Sequence, residues 1–170
     1  MRTFTDSAGR TWTVSLTLDS VKRVRDLLGV NLLELDQGEP PLLTRLGTDV
    51  ILLCDVIFAI LKPQADAAGV SDAEFGAALG GEVIMAAQKA FYEELVGFFR
   101  QLGRGDLARA VEAQQRMILL AVAAVERRIA GADGEGEIEK TLGAVSERSE
   151  SNRGSLSSNS PASAGSIPDR

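Results

Sequence analysis

Residues 50–99 read VILLCDVIFAILKPQADAAGVSDAEFGAALGGEVIMAAQKAFYEELVGFF, and this stretch decides the fold. Three helices are predicted within it. Thr48 and Asp49 open the first, which runs to about Lys62 and stops before Pro63, because proline has no N–H to donate. Its only polar stripe is Thr48, Asp55 and Lys62, so it is expected to be surrounded by other elements. Ser71-Asp72-Ala73-Glu74 has capping-box spacing and opens a short second helix that ends at Gly80-Gly81. Glu82 begins the third, which continues to about Leu102, an acidic residue being favourable at a helix's positive end.

Working back toward the N-terminus, Trp12, Val14, Leu16 and Leu18 alternate with Thr11, Thr13, Ser15 and Thr17, the period of a half-buried strand. Phe4 lies on a shorter first strand, and Asp6-Ser7-Ala8-Gly9 supplies the turn of a hairpin. Trp12 reads as the anchor of the buried face. Asp19 is expected to cap a helix over 20–28, with Gly29 ending it in the left-handed conformation. Val30–Leu35 suits either a strand or an irregular segment. Residues 36–41 break the chain, and Pro41 opens a short helical turn ending near Gly47.

Toward the C-terminus, Gly103-Arg104-Gly105 is a turn and Asp106 caps a long helix. Along it Leu107, Val111, Ile118, Ala121, Val125 and Ile129 form an apolar stripe interrupted by Gln114. The segment 107–130 would be about 36 Å long at a rise of about 1.5 Å per residue. Gly131 is expected to end it. Residues 132–170 are rich in Gly, Ser, Asn and Glu, lack aromatics, and are expected to be disordered, with helix-forming composition only over 137–145. The predicted fold is therefore mainly α with a small N-terminal β-hairpin (α+β). A hairpin plus helical domain spans 1–105, a long amphipathic helix spans 106–131 and packs on it or on a partner, and a tail spans 132–170.

The 170 residues suit one domain with an appendage, and 45% hydrophobic content supports an aliphatic core. A net charge of −6 argues against nonspecific nucleic-acid binding, which needs a positive surface. Lys22, Arg23 and Arg25 read as the wet face of a helix rather than a phosphate site. Cys54 is the single cysteine, lies in an apolar run, and fits a reducing cytoplasm. No apolar core of a secretory signal opens the chain. The longest apolar run, Val50–Leu61, is about 12 residues and contains Asp55, short of the roughly 20 a membrane span needs.

Chemistry is sparse. With no histidine in the chain, Ser-His-Asp and Cys-His arrangements are excluded, and so are single-chain Cys/His zinc sites. Residues 76–81 follow a helix and lack the lysine of a phosphate-binding loop. The acidic run 133–137 misplaces the glycine and glutamate of a calcium loop. Arg104-Gly105-Asp106 spells an adhesion tripeptide, but turn and cap roles account for it. Asp55 has no second acid or base placed beside it. No enzyme activity, metal or cofactor is expected.

Several segments taken together resemble a known family. They are the hairpin pattern Asp6-x-x-Gly9-Arg10-x-Trp12, LLGVNLL at 27–33, LLCDVIFAILKPQA at 52–65, and GVSDAEFGAAL with EELVGFF between 69 and 99. Over roughly residues 1–105 the chain is similar to the tail assembly chaperones of tailed bacteriophages and prophages. The resemblance implies a small, acidic, mostly helical, non-enzymatic protein of the host cytoplasm. It also implies that the protein binds the tape measure protein and tail tube subunits during assembly and is absent from the finished particle. Many members occur in short and frameshift-extended forms.

On this reading, the partner-binding candidates are Phe91, Tyr92, Leu95, Phe98 and Phe99 on the third helix, and Val111, Ile118 and Val125 on the long helix. The competing expectation is that these side chains fill the domain's own core. Two further functions remain open: a structural tail or connector subunit, and an adaptor that dimerises through 107–130.

Overall fold

The hairpin forms with the alternation read from the sequence. In the computed structural model, the backbone of residues 1–150 and the side chains of residues 1–130 are described. β1 (Arg2–Thr5) and β2 (Thr11–Val14) pair antiparallel, with Phe4 opposite Trp12. Phe4, Trp12, Val14 and Leu16 are buried. The backbone of Thr13 finds a partner outside the sheet: its N–H donates to Gln64 Oε1 at 3.0 Å, and its carbonyl accepts from Gln64 Nε2 at 2.6 Å. One side-chain amide thus supplies the donor and acceptor that another strand would offer.

Six helices follow among the described residues: α1 (Leu18–Leu28), α2 (Leu42–Thr48), α3 (Val50–Ala67), α4 (Asp72–Ala78), α5 (Glu82–Gln101) and α6 (Gly105–Glu150). α1 is capped by Thr17 rather than Asp19. The Thr17 hydroxyl accepts from the Ser20 N–H, and the Ser20 hydroxyl accepts from the Thr17 N–H, so serine takes the glutamate's place in a capping box. Asp19 sits in the first turn, where its charge suits the helix dipole. Gly29 ends α1 with φ 68°. Residues 30–41 form turns rather than a strand, and they bury Leu32 and Leu35. Asp49 caps α3, and Ser71 with Glu74 forms the predicted capping box of α4.

α3 is the central element. It touches α1, α2, α4, α5 and β2, as its nearly all-round apolar surface predicts. It also corrects an expectation, since the helix runs through Pro63 to Ala67 instead of stopping at Lys62. Proline cannot donate to the carbonyl four residues back, which is that of Ala59. Arg23 of α1 reaches that region: its Nη1 donates to the carbonyl of Ile60 at 3.2 Å and lies 3.5 Å from that of Ala59. A guanidinium from another helix stands in for the missing amide. Arg23→Ala is expected to cost about 1.5 kcal/mol, the lower end for a hydrogen bond from a charged donor. In a Pro63→Ala background the cost should shrink by about half, measured as a double-mutant cycle in urea denaturation. Equal costs in the two backgrounds would separate Arg23 from Pro63.

α5 buries Phe91, Tyr92, Leu95, Phe98 and Phe99. Arg100 of α5 pairs with Glu112 of α6. Leu107, Ala108 and Val111 complete the core, with Ile118 partly buried against it. Gln114, the polar break in the stripe, packs on α2 at Gly47, where its side-chain amide takes the space an added Cβ would need. The chain divides into two units, Met1–Val122 and Ala123–Arg170. The helix expected to stop at Gly131 extends to Glu150. A glycine weakens a helix by only about 1 kcal/mol relative to alanine, and Glu135, Glu137, Glu139 and Lys140 are good helix formers. The rest of the expected disordered tail, residues 151–170, lies outside the described residues. No helix among the described residues is long and apolar enough to cross a membrane.

Candidate functional site

The polar centre of the hairpin is Asp6, whose side chain is fully buried. It accepts from the N–H groups of Ala8 at 3.0 Å and Arg10 at 2.9 Å, from Arg10 Nε at 2.7 Å, and from Trp12 Nε1 at 2.8 Å. The Arg10 guanidinium lies over the Trp12 ring, 5.6 Å from its centroid. Burial alone would raise the Asp6 carboxyl. The hydrogen bonds from Trp12 and Arg10, with the Arg10 charge, more than offset it and hold the group below its ordinary value. Both carboxylate oxygens are engaged, so Asp6-x-x-Gly9-Arg10-x-Trp12 acts as a fold lock with no free group for chemistry.

The other acids are dispersed. Among the described residues, no three Asp, Glu or Cys side chains converge in a way that could hold a metal ion. Asp55 lies on α3 near Asp72 of α4. Its carboxyl is raised by burial and then by the charges of Asp72 and Asp49. Arg104 and Asp106 pair across the start of α6 at 2.9 Å, and that hydrogen bond draws the Asp106 carboxyl down to about 2. Asp106 sits in the first turn of α6 rather than ahead of it.

The predicted partner-binding residues separate by burial. Phe91, Tyr92, Leu95, Phe98, Phe99 and Val111 lie in the protein's own core. A side chain with no exposed surface cannot meet a partner unless the domain opens. Ile118 is half-buried at the core's edge, while Val125, in the second unit, is 55% exposed.

Apolar side chains that the core does not cover are found elsewhere. On α6, Met117 and Leu120 are each 65% exposed, and Leu119 is exposed beside them. Spaced three apart, Met117 and Leu120 share a helix face turned away from Val111. Sequence periodicity selected the other phase, because every residue from Met117 to Val125 is apolar and the run marks no single stripe. On α3, Val50 and Ile51 are similarly uncovered. A hollow of about 140 Å³ between α5 and α6 is lined by Met85, Tyr92, Ile118 and Leu119 among others.

Tyr92, the chain's single tyrosine, lines that hollow with its hydroxyl buried and, among the described residues, without a hydrogen-bond partner. Burial pushes its pKa up to about 12. A folded value above the unfolded value of about 10 favours the protonated, folded form, so stability is retained below pH ~10 and lost as pH rises toward the folded value. Phenolate absorbance at 295 nm reports this residue alone and should rise near pH 12 in the folded protein. Tyr92→Phe should be neutral or stabilising by about 1 kcal/mol, because it removes an unsatisfied buried hydroxyl. A loss of stability in urea denaturation would mean that the hydroxyl has a partner.

No family model, curated protein or solved structure matches the chain.

Proposed function

We propose that this protein is a non-enzymatic binding protein of the bacterial host cytoplasm, acting as a tail assembly chaperone that holds the tape measure protein and tail tube subunits before assembly. The observation that carries the reading is the uncovered apolar face of α6, with Met117, Leu119 and Leu120 exposed. Contiguous apolar surface on a small protein marks an interaction site, and here it belongs to a chain whose charge of −6 opposes aggregation. Support also comes from the sequence resemblance, from the absence of histidine, and from the dispersal of the acids among the described residues.

The test is co-expression with the tape measure protein encoded in the same genome. Soluble recovery of that protein should rise several-fold when this chain is present. Unchanged recovery sinks the chaperone reading.

A second reading, self-association through 107–130, is favoured by the exposure of Val125 and Ile129 in the second unit. Light scattering of the purified chain decides it: a dimer mass that a truncation after Val122 converts to monomer supports pairing through α6. The cut falls after Val122 because one at Gly105 would delete the buried Leu107, Ala108 and Val111 and cost several kcal/mol of stability by itself.

A further inference from the structure

The first half of α3 and the whole of α4 border a surface groove of about 420 Å³. Cys54, Phe75 and Ile84 supply its apolar lining, and the exposed Val50 and Ile51 form its rim. On the α4 side, Ala73 and Gly76 stand three apart. A Cβ built on Gly76 meets nothing within 4 Å among the described residues, so a helix backbone can approach closely. Asp55 and Asp72 also line the groove, and Asp49 lies close enough to act on Asp55.

Among the described residues, none of these three carboxylates forms an ion pair. Asp49 and Asp72 are exposed and Asp55 is half-buried; their like charges repel, and a cation placed between them would relieve that repulsion. The groove therefore combines two demands: apolar side chains to cover Ile51 and its neighbours, and positive charge opposite Asp55 and Asp72.

We propose that this groove docks an amphipathic helix of a partner protein, with apolar residues along one face and a lysine or arginine set against Asp55 and Asp72. The inference rests on the binding-protein reading above and deepens it by naming a second docking surface, apart from the α6 face, and the chemistry of the segment it takes. Helix-in-groove docking anchors apolar residues at three- and four-residue spacing, which matches a trough between two helices.

The test uses the full chain and a fluorescein-labelled helical peptide of Leu, Ala and Lys in amphipathic order, with a control in which Glu replaces Lys. The Lys peptide should bind about tenfold tighter than the Glu peptide by anisotropy. Cys54 is the only cysteine and lines the groove, so bound peptide should slow its alkylation by iodoacetamide about fivefold.

Asp55→Lys with Asp72→Lys should weaken binding about tenfold, while the equal charge change Asp26→Lys with Glu39→Lys, at exposed sites, should leave it within about twofold. Gly76→Leu fills the groove without touching the core and should also abolish Cys54 protection. It keeps the test decisive if the charge reversals unfold the chain. Absent binding of the Lys peptide, binding that leaves Cys54 alkylation unchanged, or equal loss in the Asp26/Glu39 control overturns the proposal. So does self-association that Gly76→Leu abolishes, which would assign the groove to a second copy.

The same variant separates the inference from the reading beneath it. If wild type and Gly76→Leu solubilise the tape measure protein equally, the groove assignment falls and the function stands. If wild type fails to solubilise it while the peptide docks as described, the function falls and the groove stands.

Discussion

Asp6→Ala is expected to destabilise the protein by about 3–5 kcal/mol, as breaking a buried, hydrogen-bonded charge pair does. The substitution strands the Trp12 indole N–H and the amides of Ala8 and Arg10, and it leaves the Arg10 guanidinium without its partner. Small domains have only about 5–15 kcal/mol in total, so this change takes a large share of it. Asp6→Asn should cost less, because its carbonyl oxygen can still accept, but its NH₂ would face a donor.

The pH dependence follows from the lowered carboxyl. The ionised form is favoured by folding, so Asp6's contribution is present above the ordinary carboxylate range near 4 and is lost as pH falls through the lower folded value. Urea denaturation from pH 7 down to pH 3 should show this acid limb in wild type and a flatter one in Asp6→Asn. The same slope in both would mean that Asp6 is not held ionised by its partners.

Phe75→Ala should have an effect of similar size, about 3–5 kcal/mol for removing a buried aromatic ring. Phe75 packs edge-on against Trp12, with centroids 5.3 Å apart, and tilted against Phe58 at 5.2 Å. α4 has seven residues and buries only Phe75 and Ala78. A helix that short is not stable by itself, so its place depends on this one ring. Losing the ring should also free Ser7, whose N–H donates to the carbonyl of Ala78 at 3.1 Å.

The expected result is a fall in Tm of more than about 10 °C, with faster amide exchange concentrated in α4. Trp12 is the only tryptophan, so its fluorescence reports the loss directly. Phe75→Leu should recover about half. A drop of only 1–2 °C would mean that the site collapses around the deletion and that α4 is held by something else.

These two residues also show what the sequence reveals and what it hides. Strand alternation placed Phe4, Trp12 and Val14 on one face, and the S-x-x-E spacing placed the start of α4, because both signals are local. Asp6 read as an ordinary turn residue. Its burial depends on Trp12 swinging its indole over the turn, a contact that no spacing rule encodes. Pro63 read as a helix stop for the same reason: the guanidinium that serves the freed backbone comes from Arg23, on another helix. Thr17 displaced Asp19 as cap by one turn's geometry, since both residue types are good caps and only the backbone decides between them.

The candidate site was less legible. An amphipathic helix shows the same periodicity whether its apolar face meets its own core or another protein. Phe91, Tyr92 and Phe99 therefore carried both meanings until their burial placed them in the core. The exposed pair Met117 and Leu120 lay in a run with no polar side to fix its phase. The groove beside α3 and α4 joins residues about twenty positions apart, and only the packing of the two helices brings Asp55 near Asp72.

We propose that uncovered apolar surface, led by that on α6, rather than the buried aromatic cluster, holds the partner. The most direct measurement compares wild type with Met117→Glu/Leu120→Glu in tape measure co-expression, after matched melting curves establish that both are folded. Wild type should keep the tape measure protein soluble, and the double variant should lose most of that effect. Equal solubilisation by the two proteins would contradict it.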